Sequence, residues 1–416
     1  MNIARMRFID KWLGMPVCLV LTLWRRVAGL FGRTPGVEFQ PRRILFVKLA
    51  EQGSTVLAQG ALQSAVQRVG RENVFFLLFA ENRPILDLLD LIPEENVIAI
   101  NARGLFGAIK GSLGAIWRMR RLGIDVVIDL EFFARSSAAL CYLSGARWRV
   151  GFHAFGGEAS YRGDLMTHRL SFNPYLHTSR VFQMMVDALD QPARSLPTFP
   201  HIPQVANVAT RFEPTREEIE EVRGKVRELL GYRRPMRLIL LNANASDLIP
   251  LRRWSPERYV ELARKLLARY PEACIAFTGA PGEAAAAEQL VRQVGSERCA
   301  SMAGKTTLRQ LLVLCGLAEV LVTNDSGPAH FATLTAIDVV VLFGPETPKL
   351  FASQSARTHA LWAGLACSPC INAFNDRNSP CTNNLCMQHI TVDQVFAEVC
   401  RWYESRQAVR TLPKAA

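Results

Sequence analysis

Val320-Leu321-Val322-Thr323-Asn324-Asp325-Ser326-Gly327-Pro328-Ala329-His330 passes from an apolar strand pattern, through a small polar turn, into a helical pattern that runs from Ala329 to Ala336. An unbroken apolar run ahead of Asn and Asp is the signature of a strand buried on both faces. Strand, turn and helix in that order aim backbone N–H groups and the positive end of a helix at one spot, which suits an anion such as a phosphate. Ser326 would add a hydroxyl donor, Gly327 a close approach to the backbone and His330 a third donor. The plainer alternative is a capped helix, with Asp325 or Ser326 as its N-cap. A second apolar strand, Val339 to Phe343, followed by Gly344-Pro345-Glu346-Thr347-Pro348, favours the ligand reading. Open α/β sheets build nucleotide crevices from such repeats.

Outward from that stretch, the C-terminal half continues the alternation. Helices are expected at Arg216–Leu230, Pro256–Tyr270, Gly282–Val294 and Leu308–Cys315, with strands at Leu238–Leu241 and Cys274–Thr278. The N-terminal half shows the same pattern. It has strands at Arg42–Leu49, Val74–Phe79, Val97–Ile100 and Ile124–Leu130, and a helix from Thr55 to Val69 after a turn at Gln52-Gly53-Ser54. Continuous apolar strands between helices indicate parallel sheets covered on both faces. A Pro-rich, aperiodic stretch from Leu196 to Pro214 separates the two series. The expected organisation is a basic leader (1–40), a first Rossmann-like domain (41–200), a linker (201–215), a second domain (216–395) and a C-terminal helix and tail (396–416). A ligand would lie between the two domains, at the carboxyl ends of both sheets.

The 416 residues, 49% of them hydrophobic, suffice for two cores. A formal charge of +12 favours anionic partners, such as a nucleotide, a phosphorylated glycolipid or an acidic membrane face. No basic run interleaved with aromatics is present, which argues against nucleic acid. Ten cysteines are too few for a disulfide scaffold, and a reducing, cytoplasmic setting is expected. Six of them sit in apolar or helical context. The other four, Cys367, Cys370, Cys381 and Cys386, have the spacing C-x2-C-x10-C-x4-C, which suits a structural zinc. Reduced thiols or two disulfides are the alternatives.

The leader carries an apolar run from Trp12 to Trp24, too short to span a bilayer by itself and followed by Arg25-Arg26. Arg5, Arg7, Lys11, Arg25, Arg26 and Arg33 outnumber Asp10, which suits a helix lying in the interface of an anionic leaflet. A helix packed on the protein's own body is the alternative.

Two loops supply chemistry. In Lys48-Leu49-Ala50-Glu51-Gln52-Gly53-Ser54-Thr55, Glu51 is the local carboxylate and the candidate general base. In the second half, Asn242-Ala243-Asn244-Ala245-Ser246-Asp247 leads through Leu251-Arg252-Arg253-Trp254-Ser255-Pro256 into a helix. Arginines beside that helix start could neutralise a diphosphate. Gly279-Ala280-Pro281-Gly282 lacks the G-x-G-x-x-G spacing, so a dehydrogenase is not indicated.

Together, Asp-Ser-Gly-Pro-x-His between two strands, Phe-Gly-Pro-x-x-Pro and Arg-Arg-Trp-Ser-Pro before a helix resemble glycosyltransferase family 9, the ADP-heptose:lipopolysaccharide heptosyltransferases. The resemblance covers roughly residues 42–396 and is strongest in the second half. It implies an α/β fold of the GT-B type, two doubly wound Rossmann-like domains facing across a cleft, here with an N-terminal amphipathic helix. It also implies a final helix crossing back to the first domain and inverting transfer from a nucleotide-sugar donor to a lipid-linked saccharide acceptor, with no metal cofactor in catalysis. The setting implied is the inner face of the cytoplasmic membrane, with the protein peripheral on it. Carried over by position, Asn244, Ser246, Arg252, Asp325, Ser326, Gly327 and His330 match the donor side, with Glu283 a looser match for the nucleoside. Arg135 and Ser136 match the acceptor side. One departure bears on catalysis: the family's Gly-Asp after the first strand, whose Asp is taken as the base, reads Gly53-Ser54 here. Either Glu51, three residues before Ser54, takes that role, or the protein transfers a different sugar with altered geometry, or it is inactive. Alternatives are an impaired nucleotide-sugar-binding membrane scaffold or an epimerase of the same fold.

Overall fold

The structure is a computed structural model that describes residues 3–31, 39–102, 104–193, 196–205, 212–231, 237–245 and 249–411. It divides into two compact units, Met1–Val208 with Asn372–Asn378, and Ala209–Ile371 with Ser379–Ala416.

The first unit holds six parallel strands: β1 (Ile44–Val47), β2 (Val74–Phe79), β3 (Val97–Ile100), β4 (Val126–Asp129), β5 (Trp148–Phe152) and β6 (His168–Leu170). Their order is β3-β2-β1-β4-β5-β6. The second unit holds β7 (Arg237–Asn242), β8 (Ala273–Phe277), β9 (Cys299–Ser301), β10 (Val320–Asn324), β11 (Asp338–Phe343) and β12 (Thr358–Trp362), in the order β12-β11-β10-β7-β8-β9. Relabelled from its own start, that is the same order as the first unit. Both sheets therefore reverse direction between their first and fourth strands, the arrangement of a dinucleotide-binding fold.

Alternation along the strands supplies two apolar layers per sheet. In β1, Ile44 and Phe46 join one core while Leu45 and Val47 join the opposite one. In β7, Ile239 and Leu241 divide from Leu238 and Leu240 in the same way. Helix ends follow the sequence. Thr215 and Glu218 form a capping box ahead of Arg216–Leu230, and Gly231 closes that helix in the left-handed region. The helix expected from Thr55 begins at Gln52 and is divided at Ala58 into Gln52–Leu57 and Gln59–Val69.

Two features depart from expectation. The final helix, Val392–Thr411, builds into the second unit, where Val395, Val399 and Tyr403 are buried in its core and Arg406 donates to Asp338 at 2.8 Å. The segment Asn372–Asn378, expected in the second domain, belongs to the first unit. Ala373 is buried in that unit's core, and Phe374 packs on Phe133 and Phe172.

The leader forms two helices, Ile3–Trp12 and Gly14–Phe31, packed on the first unit along one side. A narrow strip packs on the first unit. The Asp10 carboxylate accepts from the backbone N–H groups of Arg135 (3.1 Å) and Ser136 (2.8 Å), capping the helix Arg135–Leu143. Cys18 is buried, the hydroxyl of Thr22 accepts from the Asp164 N–H (3.0 Å), and Arg25 pairs with Asp164. Most of the large apolar side chains are turned outward: Trp12, Leu13, Met15, Val17, Leu19, Val20, Leu23, Trp24, Val27 and Leu30 are exposed, while Leu21 packs with Cys18. The stretch Phe8–Leu30 is also longer than the run read from sequence, and is long and apolar enough to cross a membrane by length and composition. Arg5 and Arg7 carry no described side chains, and Arg33 lies outside the described residues.

Two outcomes test this packing. Asp10→Ala should cost about 1–2 kcal/mol of unfolding free energy, the usual worth of a lost cap, and free the N-terminal helices for proteolysis before global melting. Burial pushes the Asp338 carboxyl up, but His359, Arg406 and Arg357 more than offset that and hold it below its ordinary 3.8. Its stabilisation is thus complete above pH 3.8 and is lost as the pH falls below that value. Asp338→Asn should therefore be less stable than the parent by roughly 1–3 kcal/mol at neutral pH. Denaturant titrations should show that gap narrowing on acidification.

Candidate functional site

In the first unit, the switch point between β1 and β4 gathers a charged network. Lys48, at the carboxyl end of β1, has its side chain fully buried, with Nζ 2.8 Å from Glu131 and 3.3 Å from Glu51. The other Glu131 oxygen accepts from the N–H groups of Leu49 (2.7 Å) and Ala50 (3.2 Å), so it pins the loop after β1. Glu131 is itself held by Asp129, whose carboxylate takes a hydrogen bond from Ser137 (2.9 Å) and pairs with the buried Arg162. Glu51 and Ser54 come together as expected, the hydroxyl 3.4 Å from a Glu51 oxygen. Arg377, on the segment 372–378, pairs with the other Glu51 oxygen.

Backbone strain concentrates at this corner. Six described non-glycine residues have positive φ, and four of them are here: Glu51 (68°), Phe133 (56°), Asp376 (52°) and Arg377 (57°). Each costs about 1–3 kcal/mol and persists only where its surroundings enforce it, a distribution typical of functional sites. Here the enforcing contacts are the ion pairs of Glu51, the packing of Phe133 on Phe374 and the hydrogen bond from Ser160 to Asp376.

Arg135 and Ser136 are elsewhere. Arg135 is nearly buried beneath the N-terminal helices, with its guanidinium 3.7 Å from Asp10, and the N–H groups of both residues are taken by that carboxylate. Here the two residues anchor the leader through Asp10.

In the second unit, the switch point lies between β7 and β10. Asn324 is completely buried and acts as a three-way tie. Its Oδ1 accepts from the Trp254 N–H (3.0 Å), and its Nδ2 donates to the carbonyls of Ala243 (3.2 Å) and Asn244 (3.1 Å). The helix that follows is shorter than its pattern, running only from Gly327 to Phe331 before a 3-10 turn at Ala332–Leu334. Five residues carry little macrodipole, so the anion argument from a helix end loses its force and the side chains matter more. Ser326 and His330 are nearly buried, and the Ser326 hydroxyl already donates to the Asn324 carbonyl at 3.2 Å. Gly327 is required sterically, since a Cβ there would meet the Phe331 ring at 2.8 Å.

Arg252 is brought to this loop. It donates to the Asp325 carbonyl (3.1 Å), lies 3.5 Å from the Asp325 carboxylate and pairs with Glu346. Burial pushes the Asp325 carboxyl up, with Arg252 opposing, and burial likewise lowers Arg252. One guanidinium thus faces two buried carboxylates. Asn244 and Glu283 converge on Gly279, whose added Cβ would meet Glu283 at 2.9 Å and Asn244 at 3.1 Å. Glu283 also accepts from the Ala280 N–H (2.7 Å). Ser246 lies outside the described residues.

The four clustered cysteines are free thiols in different settings. Cys367 is exposed and Cys386 buried; Cys370 accepts from the Ser379 hydroxyl (3.2 Å), and Cys381 donates to Asn383 (3.4 Å). Burial first, with Cys370 and Cys381 adding to it, pushes the Cys386 thiol up to about 11. Among the described residues no group of three or more His, Cys, Asp or Glu is arranged to hold a metal ion. A tetrahedral zinc site would need these side chains to move.

Sequence reading named none of Lys48, Arg377 and Glu346 as site residues, and Glu131 only as part of the segment leading to Arg135. A lysine ending a doubly buried strand was a usable signal, because buried lysines require partners. Arg377 offered none, standing 326 positions from Glu51.

Residues 115–379 match the family model described as glycosyltransferase family 9 (heptosyltransferase). Over 102 residues the chain is 31% identical to lipopolysaccharide heptosyltransferase 2 of Salmonella typhimurium, a stretch that is 24% of this chain and 29% of that relative. It is 28% identical over 100 residues to lipooligosaccharide heptosyltransferase 2 of Campylobacter jejuni, covering 24% of this chain and 30% of that one. The matched stretch therefore spans under a third of these curated relatives. Solved structures agree over far more of the fold. The E. coli ADP-heptose lipopolysaccharide heptosyltransferase II superposes with a TM-score of 0.65 at 17% identity, covering 88% of this chain and 99% of that one. A family 9 glycosyltransferase from Veillonella parvula gives 0.67 at 17% identity, covering 89% and 100%. Two Rossmann units with the same strand order, and a family match across most of the chain, lead to one conclusion: this chain belongs to glycosyltransferase family 9, the heptosyltransferase family.

Proposed function

We propose that the protein transfers a sugar, heptose from ADP-heptose, to a lipid-linked core oligosaccharide, with inversion at the anomeric carbon and no metal ion in the chemical step. The observation that carries this reading is Glu51, a strained carboxylate at the switch point of the first unit, beside Ser54 where the family's aspartate is missing. An acceptor hydroxyl attacks the anomeric carbon and gives its proton to Glu51 as the bond to the nucleoside diphosphate breaks and that group leaves. Lys48 and Arg377 both contact Glu51, so the acceptor must displace one of these cations before the carboxylate can take a proton. On the donor side, Asn324 fixes the loop, and Arg252 exchanges one of its two carboxylates for a phosphate oxygen. The exposed apolar face of the N-terminal helices, flanked by Lys11 and Arg26, supports a peripheral position on the anionic inner face of the cytoplasmic membrane.

A second reading has its own observation. Arg377 closes directly on Glu51, as it would in a protein that binds nucleotide-sugar without turning it over. Glu51→Gln separates the two. For the transferase, ADP release with lipid acceptor should fall by about 100-fold or more, while calorimetry gives ADP-sugar binding within about twofold of the parent. Undiminished release in the variant removes Glu51 from the mechanism, and binding without release in the parent favours the impaired protein. Arg252→Ala leaves two buried carboxylates without their cation. It should cost about 3–5 kcal/mol in denaturant unfolding, more than any single donor contact.

A further inference from the structure

The helix Gly104–Arg121 is built inside out. Small residues Gly107, Gly111, Gly114 and Ala115 line an open groove beside β3, where a Cβ on Gly111 would press Ile100 at 3.0 Å. Only Ala115 and Met119 are buried apolar residues. Met119 and Ile116 pack inward, but four large apolar side chains point away. Phe106 is 81% exposed, Leu113 62% and Trp117 61%, with Ile109 between them. Positions 106, 109, 113 and 117 recur at three- and four-residue steps, so they form one continuous stripe on the outer face. A soluble helix normally turns such a stripe inward, and a contiguous exposed apolar stripe marks an interaction surface.

Charge and position identify the occupant. The helix contains no acidic residue, and Lys110, Arg120 and Arg121 are exposed along it, with the Arg121 guanidinium over the Trp117 ring at 5.2 Å. The inward-turned residues Ala115 and Met119 belong to the same apolar layer as Cys18 of the N-terminal helices, with Ala138 and Cys141 of Arg135–Leu143 in that layer too. Both outward apolar faces therefore lie on one side of the first unit's sheet. Across the two segments the sole carboxylate is Asp10, already spent as a helix cap.

We propose that Gly104–Arg121 is a second membrane-contacting helix, seating its Phe106–Trp117 stripe in the interface of an anionic lipid surface alongside the N-terminal helices. This rests on the membrane part of the functional reading and gives the first unit two lines of attachment, which fixes its orientation on the bilayer as one helix could not. Aromatic and leucine side chains enter the headgroup boundary while the basic residues meet lipid phosphates.

The test uses the full chain and flotation with vesicles of phosphatidylglycerol and phosphatidylethanolamine, against vesicles of phosphatidylcholine alone. The variant Phe106→Ser, Leu113→Ser, Trp117→Ser leaves the N-terminal helices intact and changes exposed side chains only. It should lower partition onto anionic vesicles at least tenfold, with an unchanged melting midpoint and unchanged mass by light scattering. A Lys110→Glu, Arg121→Glu variant should weaken anionic binding severalfold and leave the weak phosphatidylcholine binding alone. Parental partition in the triple variant overturns the proposal. So does a parent that self-associates through this stripe, seen as a mass that falls in the variant while lipid binding does not. Flotation does not read sugar transfer, so failure here leaves the transferase reading standing, and absent ADP release leaves this one standing.

Discussion

Each sheet reverses its strand order once, and that reversal governs where chemistry can occur in each unit. Chains leaving the first and fourth strands turn to opposite faces, so the carboxyl ends of those two strands stand beside a crevice with no connection crossing it. In the first unit the crevice borders Lys48 and Asp129; in the second it borders Asn242 and Asn324. Both positions carry buried polar side chains amid apolar strands, and both use one to fix neighbouring loops. Glu131 holds two backbone N–H groups of the loop after β1, and Asn324 ties the loop after β7 to the start of the helix Pro256–Arg269. A buried polar group so thoroughly satisfied rigidifies its surroundings, and a site needs that before it can be selective.

The strain in the first unit follows from the same network. Lys48 cannot be buried without a counter-charge, and two carboxylates turn toward it. Reaching it from the loop forces Glu51 into the left-handed region, a conformation that a glutamate would otherwise avoid. Arg377 then adds a second cation to Glu51, at the cost of two consecutive left-handed residues in its own segment. Several strained backbone positions gathered around one carboxylate between two cations are the kind of concentration found at functional sites.

Strand identity was legible where a strand is buried on both faces and written as an unbroken apolar run, as in Val74–Phe79 and Val97–Ile100; the short β6 and β9 and the half-exposed β12 carry no such run. The helix after Ser326 was less legible. Its apolar pattern continues past Phe331, but the chain tightens into a 3-10 turn that hydropathy does not register. Donor-side clustering of Arg252 with Asp325 could be anticipated from strand-end loops at one switch point. Acceptor-side residues were harder. Arg135 and Ser136 sit at the start of a helix, where any anion can dock, and the anion is supplied by the chain's own Asp10. Nothing local to residues 135–136 encodes a partner so far away in sequence.

Hydrophobic patterning also has a sign that composition does not carry. The N-terminal helices and Gly104–Arg121 are both amphipathic, and by period alone either could be a core helix. What distinguishes them is which side is small. A Cβ on Gly14 would meet Arg135 at 2.7 Å, and one on Gly163 of the body would meet Thr22 at 2.6 Å, so the leader approaches the body closely through glycine. In the second helix a Cβ on Gly111 would meet Ile100 at 3.0 Å. Close approach through glycine gains packing for the backbone, but it buries little apolar area, so neither helix is held mainly by the hydrophobic effect. Polar contacts hold them instead: Asp10, Thr22 and Arg25 in one, and in the other Arg118, which donates to the Val97 carbonyl at 3.2 Å. The apolar area that both helices leave unburied is what remains available to a lipid surface.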